Sequence, residues 1–190
     1  MINYFSRQEL DSQISNYIMK TDVVVDIGCG IRIQPFFIPK IHICCDPFEP
    51  YLMKLATEKE KDRFVYITIS WGEFVKLFVE KSVDTIFLLD IVEHIDKDIG
   101  VALLHETSKI ARKQIIIFTP LGFLPQRDEG VDGWGMQGMY WQQHRCGWDE
   151  RDFDESWNLY VCKEYHYVDS KLKPFPKPYG AFYAIKNLEG

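Results

Sequence analysis

One segment constrains the fold more than any other. Val23-Val24-Val25-Asp26-Ile27 runs directly into Gly28-Cys29-Gly30. A β-branched run without polar alternation reads as a strand buried on both faces of a sheet. Glycines placed straight after it let the backbone turn sharply and let a ligand approach the main chain. In a doubly wound sheet such a turn lies at the carboxyl edge, where ligands bind. The rest of the chain agrees with this reading. Residues 41–46, 64–69, 83–89 and 114–119 read as further strands, and 50–61, 72–81 and 97–112 carry helical periodicity. Alternating strands and helices predict an α/β fold with a mainly parallel, doubly wound Rossmann-like sheet. Phe5, Leu10, Ile14 and Ile18 predict an amphipathic opening helix over 4–19. Residues 149–157 read as another helix. Residues 160–168 and 181–185 read as a late antiparallel hairpin around a Pro/Lys-rich stretch at 171–178.

Composition sets the limits. A chain of 190 residues predicts one domain, residues 1–190. With 46% hydrophobic and 26% charged residues it is too apolar for a disordered chain. The net charge of −6 argues against a broad nucleic-acid footprint. Five cysteines without a CxxC pair point to reduced thiols rather than a disulfide scaffold. No apolar run reaches the roughly 20 residues of a membrane span. The first residues lack the basic start and apolar core of a signal peptide, so a cytoplasmic protein is expected.

The candidate site gathers around the glycine turn. The dinucleotide fingerprint G-x-G-x-x-G needs a third glycine, and Ile33 stands in its place. The absent third glycine argues against nicotinamide chemistry. Asp46 ends the second strand, twenty residues after Asp26, where an acidic side chain can accept both ribose hydroxyls. Two carboxylates and a glycine turn describe an adenosine pocket other than the dinucleotide one. Residues 121–148 are rich in Gly, Trp and Gln, and read as an aromatic insert that covers a substrate. Its Gln143, Arg145 and Trp148 suit hydroxyl, anion and ring recognition. The competing reading is a self-packed surface loop or an interface patch. His94, His144 and Asp90 show no metal-ligand spacing, so no metal is expected.

At these residues the chain resembles the class I S-adenosylmethionine (SAM)-dependent methyltransferases. Asp26-Ile27-Gly28-Cys29-Gly30 is similar to their first motif, and Asp46 to their acidic second motif. The segment Leu88-Leu89-Asp90-Ile91-Val92-Glu93-His94 resembles the fourth-strand region of many small-molecule methyltransferases. The resemblance covers roughly residues 20–120. It implies SAM contacts at Asp26, Gly28, Cys29, Gly30, Asp46, Pro47, Ser70, Trp71, Leu89 and Asp90. Of these, Ser70 and Trp71 fall beside adenine. Two departures stand out: Arg32 replaces the third glycine of the family's G-x-G-x-G, and no acidic pair follows the third strand. The segment Leu121-Gly122-Phe123 with His144-Arg145-Cys146-Gly147-Trp148 is similar to a pattern in methyltransferases found near surface-polysaccharide genes.

The implied activity is methyl transfer (EC 2.1.1.-) to a small molecule or sugar. Thr119-Pro120-Leu121-Gly122, unlike the Pro-Pro-type tetrapeptide of amino-group methylases, points to oxygen. Such a transfer needs a general base, and His144, His94 and Asp90 are the candidates. The alternative is a catalytically silent methyltransferase-like protein that binds a partner. A homodimer is among the arrangements considered.

Overall fold

The computed structural model describes residues 1–58, 62–126 and 130–188. Eight strands form one sheet: β1 (Ile2–Tyr4), β2 (Val23–Ile27), β3 (Ile41–Asp46), β4 (Phe64–Thr68), β5 (Val83–Leu89), β6 (Ala111–Pro120), β7 (Trp157–Val168) and β8 (Pro174–Asn187). Their order across the sheet is β1-β7-β8-β6-β5-β2-β3-β4. Strand β8 lies antiparallel to both β6 and β7, and all other neighbours are parallel. The expected α/β sheet with a late antiparallel hairpin is therefore the fold observed.

Both faces of the central strands are buried, as their continuous apolar runs require. Val24, Phe87 and Ile116 pack on one side with Leu10, Ile14 and Ile18. Val25, Ile86, Ile115 and Ile117 pack on the other with Phe74, Leu103 and Leu104. That second side is covered by α3 (Trp71–Leu77) and α4 (Lys97–Ile110). Each such fully buried side chain stabilises the fold by about 1.5–3 kcal/mol relative to exposure.

Several boundaries differ from the sequence reading. The opening segment is not one helix. Residues 2–4 pair with β7 as an edge strand, and α1 (Arg7–Gln13) starts only after Ser6. Ser6 and Glu9 form a reciprocal capping box, which fixes that start. The helix then tightens into a 3-10 turn, Ile14–Tyr17. The helix expected over 149–157 is a single 3-10 turn, Glu150–Asp152, because Trp157 already belongs to β7. Helix α2 (Glu49–Glu58) matches its expected segment, whose last three residues lie outside the described ones.

The hairpin is longer than expected, because β8 takes in Pro174, Pro176 and Pro178. Pairing between β6 and β8 stops at Pro120 and Ala181. Beyond it β8 keeps only β7 as a neighbour, so prolines there break no ladder on the open side.

No helix is described between β2 and β3. Residues 31–40 cross as irregular chain, held by Gln34. Its side-chain oxygen accepts from the Phe36 and Phe37 amides, and its backbone N–H donates to Asp26 Oδ2. The missing third glycine thus coincides with a missing helix. No helix of the described residues is long and apolar enough to cross a membrane.

Candidate active site

Strands β2, β3 and β5 all end at one edge, and that edge floors a cavity of ≈ 980 Å³. This volume lies at the upper end of ordinary small-molecule sites. At its centre is the glycine turn. Gly28 has φ 65° and Gly30 φ 54°, a left-handed backbone that side-chain-bearing residues rarely adopt. The turn is fixed to the next strand: the amides of Gly28 and Cys29 both donate to the Cys45 carbonyl, at 2.7 and 3.1 Å.

Asp46 ends β3 beside this turn and faces the cavity. The Gly30 amide donates to its Oδ2 at 2.9 Å, and the Phe48 amide to its Oδ1 at 2.8 Å. Each oxygen keeps a further lone pair for a hydroxyl donor. Burial pushes the Asp46 carboxyl up to about 6, against the pull of the Phe48 and Gly30 amides.

Of the residues expected to hold a cofactor, Gly28, Cys29, Gly30, Asp46, Pro47, Ser70, Trp71, Leu89 and Asp90 line the cavity. Asp26 does not. Its carboxylate lies under the turn, 2.7 Å from His42 Nε2 and 2.9 Å from the Gln34 amide. It shapes the turn from behind. Ser70 caps α3 in a box with Glu73, which presents Ser70 and Trp71 together at the rim.

Two residues of the insert take different places. Trp148 is completely buried, and its indole N–H donates to the Val92 carbonyl at 3.0 Å. A methyl group added at Gly100 would meet its ring at 2.7 Å. Trp148 is thus a core side chain that anchors the end of the insert, and the structure does not bring it to the cavity. Gln143 is exposed, and its neighbour Gln142 lines the cavity instead. Arg145 does line it, with its guanidinium 4.9 Å from the centre of the Tyr140 ring.

The other end of the cavity gathers ionisable groups. Asp90, at φ 54°, directly follows β5; the residue is exposed, and its carboxyl lies in the cavity wall with protein packed around it. That enclosure pushes it up to about 6, while the Arg32 guanidinium pulls it down. His94 follows on a 3-10 turn, with its ring centre 4.8 Å from that of His144. Burial, and then His144, hold His94 down at about 3, so its imidazole is neutral at ordinary pH. His144 Nδ1 lies 2.6 Å from the Leu124 carbonyl, a contact that requires a proton on Nδ1. Glu93 is buried between them, and its carboxylate accepts from the Thr119 hydroxyl at 3.0 Å. Burial first, and Asp90 second, raise the Glu93 carboxyl well above its usual range.

Sequence reasoning missed the clamp that seats the insert. Asp132 Oδ1 accepts from the Trp134 and Met136 amides, and Oδ2 from the Gly138 amide and the Tyr51 hydroxyl. Trp134 is thereby laid on the glycine turn, so that a methyl group at Gly30 would lie 2.2 Å from its ring. The Asp132-Gly133 pair is a turn signal that marks this clamp in hindsight. Glu93 was visible only as a residue adjoining His94.

No sequence-family model and no curated protein matches the chain. Solved structures do. A SAM-dependent methyltransferase from Archaeoglobus fulgidus superposes with a TM-score of 0.56 at 15% identity, covering 96% of this chain and 94% of that one. The chain has the fold of the SAM-dependent methyltransferases. A methyltransferase from Leishmania major gives 0.60 at 12% identity, covering 95% of this chain and 69% of that one. The magnesium protoporphyrin IX methyltransferase of Synechocystis, with bound SAH (S-adenosylhomocysteine), gives 0.53 at 14% identity and covers 95% and 83%.

Proposed function

We propose that the chain is a SAM-dependent methyltransferase acting on a small molecule or a sugar, at oxygen. One observation carries this reading. The glycine turn and Asp46 adjoin within a single cavity that also reaches Asp90, His94 and His144. Asp46 would take the ribose hydroxyls, Gly28–Gly30 would pass beneath the amino-acid end, and Ser70 and Trp71 would flank adenine. SAM supplies an already electrophilic methyl group. The protein's task is then to align an acceptor oxygen, exclude water and receive a proton. His94 is unprotonated at neutral pH, and Asp90 is ionised above about 6, so both can receive it. His144 Nε2 is the third candidate. Arg145, Gln142 and the rim aromatics offer hydrogen bonds and stacking faces for a hydroxylated acceptor.

A thermal-shift series with SAM, SAH and NAD tests the reading. A ligand at 100 times its Kd adds roughly 2.7 kcal/mol of stability, which is several degrees for a chain of this size. SAM and SAH should shift the melting temperature and NAD should not. A shift with NAD alone, or with none of the three, rejects the proposal.

Trp134 packed on Gly30 favours a second reading, a catalytically silent protein that binds a partner. Tight SAM binding together with turnover of any acceptor eliminates it.

A further inference from the structure

The acceptor end of the cavity holds more donor groups than a single general base requires. Glu93, His94 and His144 each place one ligating atom within 4.8 Å of the others. They come from two segments, the turn after β5 and the insert, so the fold rather than local sequence brings them together. His144 has one ring nitrogen committed elsewhere. His144 Nδ1 meets the Leu124 carbonyl at 2.6 Å. The His94 ring has the backbone of Gln143 and Gln142 against it, while His94 Nδ1 is buried with no hydrogen-bond partner. The Leu124 carbonyl gives His144 an arrangement found in metal-ligating histidines, in which a backbone carbonyl takes one ring N–H and fixes the orientation of the ring. A buried imidazole nitrogen without a partner is otherwise costly. The Thr119 hydroxyl orients the Glu93 carboxylate in the same manner.

We propose that Glu93, His94 and His144 bind one divalent first-row metal ion at the acceptor end of the cavity. Two imidazoles and a carboxylate suit zinc, cobalt or ferrous iron better than magnesium or calcium. Tetrahedral zinc ligands lie about 3.4 Å apart, so small side-chain rotations close the set. Glu93 with Asp90 nearby supplies two carboxylates to balance the ion's charge. All three side chains line the cavity, so a bound ion would be reachable by the acceptor, and it would supply Lewis-acid assistance to loss of the acceptor's proton. That catalytic use rests on the methyltransferase reading; binding of the ion does not.

The test uses the full chain, stripped with EDTA and titrated with Co²⁺ and Zn²⁺ alone. One equivalent of Co²⁺ should give visible ligand-field absorption that Zn²⁺ abolishes. Loss of an outer-shell partner costs about 10–100-fold in affinity, so His144→Ala should cost at least the upper end of that range. Glu93→Gln, an isosteric change for the buried position, should do the same. Circular dichroism identifies a variant that has failed to fold, and His144, which is only half-buried, carries the test if Glu93→Gln does. Absence of a one-equivalent Co²⁺ complex overturns the proposal, and so does uptake unchanged in both folded variants. SAM thermal shifts on the same stripped chain separate the two claims. A chain that takes Co²⁺ but ignores SAM keeps the metal site and loses the methyltransferase reading. One that answers SAM but takes no metal does the reverse.

Discussion

Replacing Asp132 by alanine removes the acceptor for four donors at once: the amides of Trp134, Met136 and Gly138, and the Tyr51 hydroxyl. Asp132 is 4% exposed, so water does not stand in freely. A hydrogen bond to a charged group contributes about 1.5–3 kcal/mol, and four taken singly would total roughly 6–12. They share one carboxylate and one loop, and the loop can swing its amides into solvent. The cost is therefore capped by what the loop contributes, and about 3 kcal/mol is expected. For a chain of 190 residues that lowers the melting temperature by about 6–12 °C. Hydrogen exchange supplies the sharper reading. In the variant the amides of Trp134, Met136 and Gly138 should lose protection together, while those of β5 and β6 keep theirs. Burial raises the Asp132 carboxyl, but the Tyr51 hydroxyl and the loop amides outweigh it and hold it below the usual range. Its contribution is therefore complete above the ordinary carboxylate value near 4 and is lost as the pH falls further. A variant with unchanged melting and unchanged loop exchange would refute the clamp.

Other outcomes follow from the same geometry. Trp148→Ala should cost about 3–5 kcal/mol in urea unfolding, the usual range for a buried tryptophan; a cost below 1 contradicts its place in the core. Asp26→Ala removes the buried partner of His42 and should cost about 3–5 kcal/mol, with a smaller effect on SAM affinity than Asp46→Ala has. The reverse ranking would mean that Asp26 touches the ligand. Asp46 and Asp90 have raised carboxyls in the folded state, so the native chain holds protons that the unfolded chain has released. The stability of the native chain relative to Asp46→Asn should therefore fall as the pH rises from about 4 to about 6, the opposite contribution of the depressed His94 and His166 being common to both proteins, and a difference that stays constant across this window contradicts the Asp46 shift.

The centre of the sheet was legible because its strands are largely buried. Val23–Ile27, Ile41–Asp46 and Val83–Leu89 are predominantly apolar, without the polar alternation of a half-exposed strand. The ends of the chain were less legible for two physical reasons. Ile2–Tyr4 is too short to show a period, and only its pairing with β7 makes it a strand. The prolines of β8 argue against a strand unless one side of it is known to be open.

Within the site, local residues such as Gly28, Gly30 and Asp46 could be picked out by spacing along the chain. The Asp132–Tyr51 contact and the Glu93, His94 and His144 group join segments far apart in sequence, and no spacing rule reports them. Trp148 was misplaced for a related reason. An aromatic residue in a Gly-rich insert looks exposed, and only the small Gly100 beneath it reveals the core slot.

The most direct test of the central claim is a crystal structure of the chain grown with SAH. The ribose hydroxyls should lie on Asp46, the amino-acid end over Gly28–Gly30, the adenine beside Trp71 and the sulfur toward Asp90 and His94. Density for SAH away from Asp46, or a cavity that excludes it at millimolar concentration with Trp134 still on Gly30, would contradict that claim.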